Sequence, residues 1–84
     1  MSNIDLIEIK KNLRDYLIKA TSFTIEDDER DLVKEGIVSS LTMFSLIDYI
    51  EKKFKIEIDI LSLTPENFNS IDNISKKIIQ WTSK

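Results

Sequence analysis

The chain has no histidine and no cysteine. Without histidine it lacks the usual general base and the commonest metal ligand. A Ser-His-Asp arrangement is therefore impossible. Without cysteine there is no disulfide framework, and any thiol chemistry has to come from a cofactor. One glycine and one proline in 84 residues leave too few turn-formers for a turn-rich β architecture. No apolar run approaches the length that spans a bilayer. The opening Met1-Ser2-Asn3-Ile4-Asp5 holds neither a basic nor an apolar signal segment. A net charge of −3 argues against a nucleic-acid binder. These absences lead us to expect one small cytoplasmic domain over residues 1–84, free-standing and monomeric, with no catalysis of its own.

What is present is helical periodicity. Over residues 4 to 20, Leu6, Ile9, Leu13, Tyr16, Leu17 and Ala20 recur at steps of three and four, which marks one apolar helix face. Residues 40 to 54 repeat the pattern with Met43, Leu46, Ile47, Ile50 and Phe54. A last helix over residues 70 to 82 has Ser70 as N-cap and Ile71, Ile74, Ile78 and Trp81 on one face, with Ile79 flanking. Trp81 is expected to pack across the open end of a bundle, although a stacking role toward a ligand is compatible with the residue type. Ile56, Ile58 and Ile60 alternate with Glu57 and Asp59, the pattern of a strand. No second strand exists to pair with it, so an extended linker pressed into the bundle is expected. Thr64-Pro65 then starts a short helix, with threonine as N-cap and proline at the first helical position, ending near Phe68. The reading is an all-α domain. Its expected core includes Leu13, Leu17, Leu46, Ile50, Phe54, Ile58, Ile74 and Ile78.

Residues 21 to 39 form a long connection, of a length that is often functional in a small domain. Phe23, Ile25, Leu32 and Ile37 are expected to tack it to the core. Its acidic run, Glu26-Asp27-Asp28-Glu29-Arg30-Asp31, does not make a calcium loop. Counted from Asp27, position six is Leu32 where glycine is needed, and position twelve is Val38 where glutamate is needed. The run reads as a solvated charged surface.

The rest of the chain is organised around Gly36-Ile37-Val38-Ser39-Ser40-Leu41-Thr42-Met43-Phe44. Ser39 can cap the following helix, its hydroxyl accepting a free first-turn N–H. Ser40 then lies in the first turn, where free N–H groups and the helix dipole favour a phosphate. Taken alone, Ser-Ser before an apolar helix is usually only a cap. Leu41, Phe44 and Asp48 fall on a face nearer Ser40, and the two apolar ones are either exposed there or buried by a wide apolar helix.

Gly36-Ile37-Val38-Ser39-Ser40-Leu41 resembles the Gly-Leu/Ile-Leu/Ile-Asp-Ser-Leu motif of acyl and peptidyl carrier proteins. Ile50-Glu51-Lys52-Lys53-Phe54-Lys55-Ile56-Glu57-Ile58 and Leu63-Thr64-Pro65-Glu66-Asn67-Phe68 are similar to two further stretches of that family, in its order and at its spacing. The resemblance implies a four-helix bundle of the acyl-carrier type, with three main helices and a short third one. It implies that a phosphopantetheinyl transferase attaches 4′-phosphopantetheine to Ser40, and that the arm carries an acyl or aminoacyl group as a thioester. It further implies that Ser39, Leu41, Phe44 and Asp48 face the transferase and the loading and downstream enzymes, with Leu41 and Phe44 exposed.

One departure from the family stands at Ser39, where aspartate usually precedes the modified serine. Modification by a tolerant transferase is expected; a degenerate, never-loaded four-helix interaction module is the alternative. The helix beginning at Ser40 also departs. Fatty-acid carriers have an acidic second helix, whereas here Asp48 and Glu51 stand against Lys52, Lys53 and Lys55. Together with the segment at Leu63, this points to a polyketide, peptide or amino-acid pathway.

Overall fold

In the computed structural model, residues 5–62 and 64–82 are described. Among them the fold is all-helical, a small bundle of four α-helices with no strand: α1 (Leu6–Thr21), α2 (Ser40–Phe54), α3 (Pro65–Phe68) and α4 (Ile71–Thr82), plus a 3-10 turn at Ile60–Ser62. The expected helix start at residue 4 and the segment's Leu63 lie outside the described residues.

Each main helix is set by its ends and one apolar stripe. Asp5 caps α1, its carboxylate accepting the Ile7 N–H at 3.0 Å, and Ser22 closes it in a left-handed conformation (φ 64°). Ile9, Leu13 and Leu17 are its buried stripe. Leu46, Ile47 and Ile50 bury from α2, and Ile71, Ile74 and Ile78 from α4. Helix α1 packs against both α2 and α4. Phe54, Ile56 and Ile58 pack on this core half-buried. Trp81 packs on the core and stacks on buried Phe68 with ring centroids 5.9 Å apart. Ala20 departs from the expected stripe and is exposed in the last turn of α1.

Residues 56–59 are irregular, with Ile56 and Ile58 turned inward and Glu57 and Asp59 exposed. The alternation therefore records a linker with one face on the core, not a strand. Its backbone is held by Glu51, whose carboxylate accepts the Ile58 N–H at 2.9 Å. Thr64 does stand as N-cap of α3, but its side chain makes no capping bond. Ser70 caps α4 as expected, its hydroxyl accepting the Asn73 N–H at 3.1 Å.

The long connection is fastened at several points. Ile25, Leu32, Ile37 and Val38 are buried, whereas Phe23 is 51% exposed and does not join the core. Phe23 directly follows the left-handed Ser22, where the chain turns off the end of α1. Arg14 of α1 donates its ε N–H to the Ile25 carbonyl at 3.0 Å and its guanidinium also pairs with Asp28. Lys10 lies 3.7 Å from Asp28 and 3.1 Å from Asp72, and Lys76 lies 2.9 Å from Asp72. This chain of charges ties α1, the connection and α4 together. The backbone adds two bonds, from the Leu32 N–H to the Asn69 carbonyl (2.6 Å) and from the Asp72 N–H to the Asp28 carbonyl (2.8 Å).

Leu46 is fully buried, so Leu46→Ala should cost about 2–5 kcal/mol, read from denaturant midpoints. The bonds from Lys76 and then Lys10 hold the Asp72 carboxyl below its ordinary value of 3.8. A depressed native pKa contributes stability that is whole above the unfolded value and is lost as pH falls through the native one. Asp72→Asn should therefore flatten the loss of stability below about pH 4, and an acid limb of unchanged slope would show that the pairing contributes nothing.

Candidate functional site at the start of helix α2

The site is built from the turn that precedes it. The Asp31 carboxylate accepts the Lys34 N–H at 2.8 Å and starts one helical turn. That turn ends at Gly36, whose φ of 74° is the left-handed conformation glycine adopts without strain. The Ile37 N–H reaches back to the Leu32 carbonyl (2.9 Å) and the Gly36 N–H to the Val33 carbonyl (3.1 Å), the paired bonds of a Schellman motif. The same Leu32 carbonyl also accepts the Val38 N–H at 3.0 Å. Ile37 and Val38 are thereby held in the core, and the next residue, Ser39, emerges at the surface.

Ser39 is the N-cap of α2 in extended conformation. Its hydroxyl accepts the Thr42 N–H at 3.3 Å and lies 3.2 Å from the Thr42 hydroxyl. Ser39 Oγ is thus committed to the cap. Ser40 is the first residue of α2 and exposed. Its hydroxyl has no partner among the described residues, and neither have the N–H groups of Ser40 and Leu41. Free donors at the positive end of a 15-residue helix suit a phosphate oxygen.

The open alternative for Leu41 and Phe44 resolves toward solvent, at 80% and 64% exposure. With 3.6 residues per turn, Leu41, Phe44, Ser45, Asp48 and Lys52 share one strip of α2. Asp48 is exposed and pairs with Lys52 at 3.1 Å. The structure therefore brings Ser40, Leu41, Phe44 and Asp48 onto one accessible side of one helix, while Ser39 supports it from the cap.

Two features lay outside the expected set. Thr42 completes the cap through both its N–H and its hydroxyl; the Ser39-x-x-Thr42 spacing was the available signal. Beside the strip, a shallow groove between α1 and α2 is lined by Tyr16, Ser45, Asp48, Tyr49, Lys52 and Lys53. Its tyrosines stack at 4.3 Å with planes 15° apart. Burial, then the charge of Asp15 and the neighbouring Tyr16, pushes the Tyr49 hydroxyl above its ordinary pKa. Nothing in the sequence pairs residues so far apart. Among the described residues, no group of His, Cys, Asp and Glu side chains could hold a metal ion, and no helix is long and apolar enough to cross a membrane.

No family model matches this chain, and no curated protein matches it.

Exposure and core packing predict opposite outcomes for one substitution. Phe44→Ala should change stability by no more than about 0.5 kcal/mol, as for surface positions generally, whereas Ser39→Ala should cost about 0.5–2 kcal/mol through loss of the cap. Thermal melts of the two variants beside the parent check both.

Proposed function

We propose that this chain is a carrier protein of the acyl-carrier type, which holds acyl or aminoacyl intermediates on a 4′-phosphopantetheine arm at Ser40. The single observation that carries the reading is the division of labour between two adjacent serines. Ser39 Oγ is bound into the helix cap, whereas Ser40 Oγ is free, exposed and flanked by unsatisfied N–H groups. The all-helical bundle agrees with it, as does the exposed Leu41–Phe44 pair beside the serine.

The attachment is a phosphoryl transfer. Ser40 Oγ attacks the β-phosphorus of coenzyme A, a phosphodiester forms, and adenosine 3′,5′-bisphosphate leaves. The serine proton passes to a base on the transferase, because no histidine is present in this chain to take it. Here the protein contributes a reachable hydroxyl, fixed by the cap, and two N–H donors that can bind the phosphodiester oxygens. The arm supplies the thiol that this cysteine-free chain lacks. Leu41 and Phe44 give partner enzymes an apolar hold next to the reacting group, with Asp48 further along the same strip. A small patch of this kind suits brief encounters with several enzymes in turn. The absence of an acidic α2 favours a polyketide, peptide or amino-acid pathway over fatty-acid synthesis.

Incubation with coenzyme A and a broad-specificity phosphopantetheinyl transferase, followed by intact mass, tests the reading. One phosphopantetheine should add to the parent and to Ser39→Ala, and none to Ser40→Ala. Ser39→Asp should raise the rate by restoring the anion that generic transferases meet in this position. A parent that gains no mass would instead be an unmodified four-helix interaction module.

A further inference from the structure

Two adjacent serines begin α2, and the side chain that sets them apart is that of Thr42. Ser39 is the N-cap, and Thr42 stands at the third helical position, where a capping box carries Glu or Gln. The Thr42 hydroxyl does not make that motif's return to the backbone N–H of the cap, which has no partner among the described residues. It meets the Ser39 hydroxyl instead, at 3.2 Å, one hydroxyl donating to the other. Thr21 and Thr82, by contrast, return their hydroxyls to the carbonyls of Leu17 (2.7 Å) and Ile78 (2.9 Å), four residues back, a common habit of threonine in a helix. The Thr42 hydroxyl has no second partner among the described residues.

That contact answers a weakness in the cap. The bond from the Thr42 N–H to Ser39 Oγ is 3.3 Å long, beyond the usual range of about 2.7–3.2 Å. A carboxylate in this position would accept the same N–H in a shorter, charge-assisted bond, and the helix dipole would favour its charge. Ser39 is neutral, and the first turn of α2 holds no acidic residue. One long bond leaves a serine hydroxyl free to swing off the helix end. A second bond, to Thr42, holds Ser39 in the cap and keeps the first turn wound with Ser40 at its start.

We infer that Thr42 is a positioning residue for the modification of Ser40: acting through Ser39, its hydroxyl supplies the restraint that an aspartate at the cap would give, and so keeps Ser40 presented to the transferase while Ser39 stays in the cap. This rests on Ser40 being the attachment point. The dependence is conditional. The Thr42 hydroxyl matters while serine stands at position 39, and ceases to matter once a carboxylate takes over the cap. A side chain that touched the transferase directly would matter equally in both settings.

A double-mutant cycle tests this, with a broad-specificity phosphopantetheinyl transferase and coenzyme A as the probe and intact mass over time as the readout. Thr42→Val keeps the shape of the side chain and removes the hydroxyl. It should lower kcat/KM for loading about fivefold in the parent, and by less than about twofold in the Ser39→Asp background. Thr42→Ser, which keeps the hydroxyl, should restore most of the parent rate. Solvent exchange of the residue-42 amide should quicken in Thr42→Val and slow again in Thr42→Ser. If Thr42→Val fails to fold, Thr42→Ala takes its place in the cycle. Loading of Thr42→Val at the parent rate, an equal loss in both backgrounds, or a Thr42→Ser variant as slow as Thr42→Val overturns the inference while leaving Ser40 as the attachment point. A parent that gains no mass overturns the carrier reading and this inference with it.

Discussion

The backbone of Leu32 is the pivot on which the connection and the site both depend. Its side chain is fully buried, its N–H is bonded to the Asn69 carbonyl, and its carbonyl receives the N–H groups of Ile37 and Val38. A buried peptide group that lost these partners would bear the full cost of desolvation. One residue therefore fixes where the connection meets the α3–α4 corner and where the chain leaves toward Ser39. The left-handed Gly36 makes this possible, because the return of Ile37 to Leu32 needs a backbone that other residues adopt only under strain.

The charged groups divide into two sets with different duties. Arg14, Lys10, Asp28 and Asp72 are partly buried and linked, the exposed Lys76 joins them at Asp72, and together they span α1, the connection and α4. The pairs Lys11–Asp15 and Lys52–Asp48 lie exposed at helix spacing and contribute little to stability. Arg30 pairs with Glu35 within the connection, and Lys19, Lys34, Lys53, Lys55 and Lys77 have no ion-pair partner among the described residues. Surface that is neither needed for folding nor neutralised internally is where recognition can be placed at low cost to the fold.

The bundle was legible because its signals are local. Helical spacing in α1, α2 and α4 named Leu13, Leu17, Leu46, Ile50, Ile74 and Ile78, all of which are buried, and Ser39 and Ser70 were readable as caps. The linker at residues 56–59 was legible only by weighing pattern against topology, since alternation alone suggests a strand. Phe23 could not be placed from its residue type, because the left-handed turn at Ser22 decides which way the chain leaves α1. The exposure of Leu41 and Phe44 was likewise undecidable from periodicity, as a 15-residue helix can be apolar on more than half its circumference. The Tyr16–Tyr49 stack and the chain of charges through Asp28 join residues distant in sequence, and a single sequence carries no local sign of such pairs.

The bond between Leu32 and Asn69 also has a bearing on time. The adjacent contact of Asp31 with Asn69 joins positions 38 residues apart, and closing a loop of that size costs entropy before any contact repays it. Helices α1 and α2 can form and meet through nearer neighbours, whereas the turn that presents Ser39 is locked only when the α3–α4 corner arrives. The lock depends on a few backbone bonds around the buried Leu32. Ser40 lies midway along the chain, yet the turn that precedes it is joined through Leu32 to residue 69, near the far end.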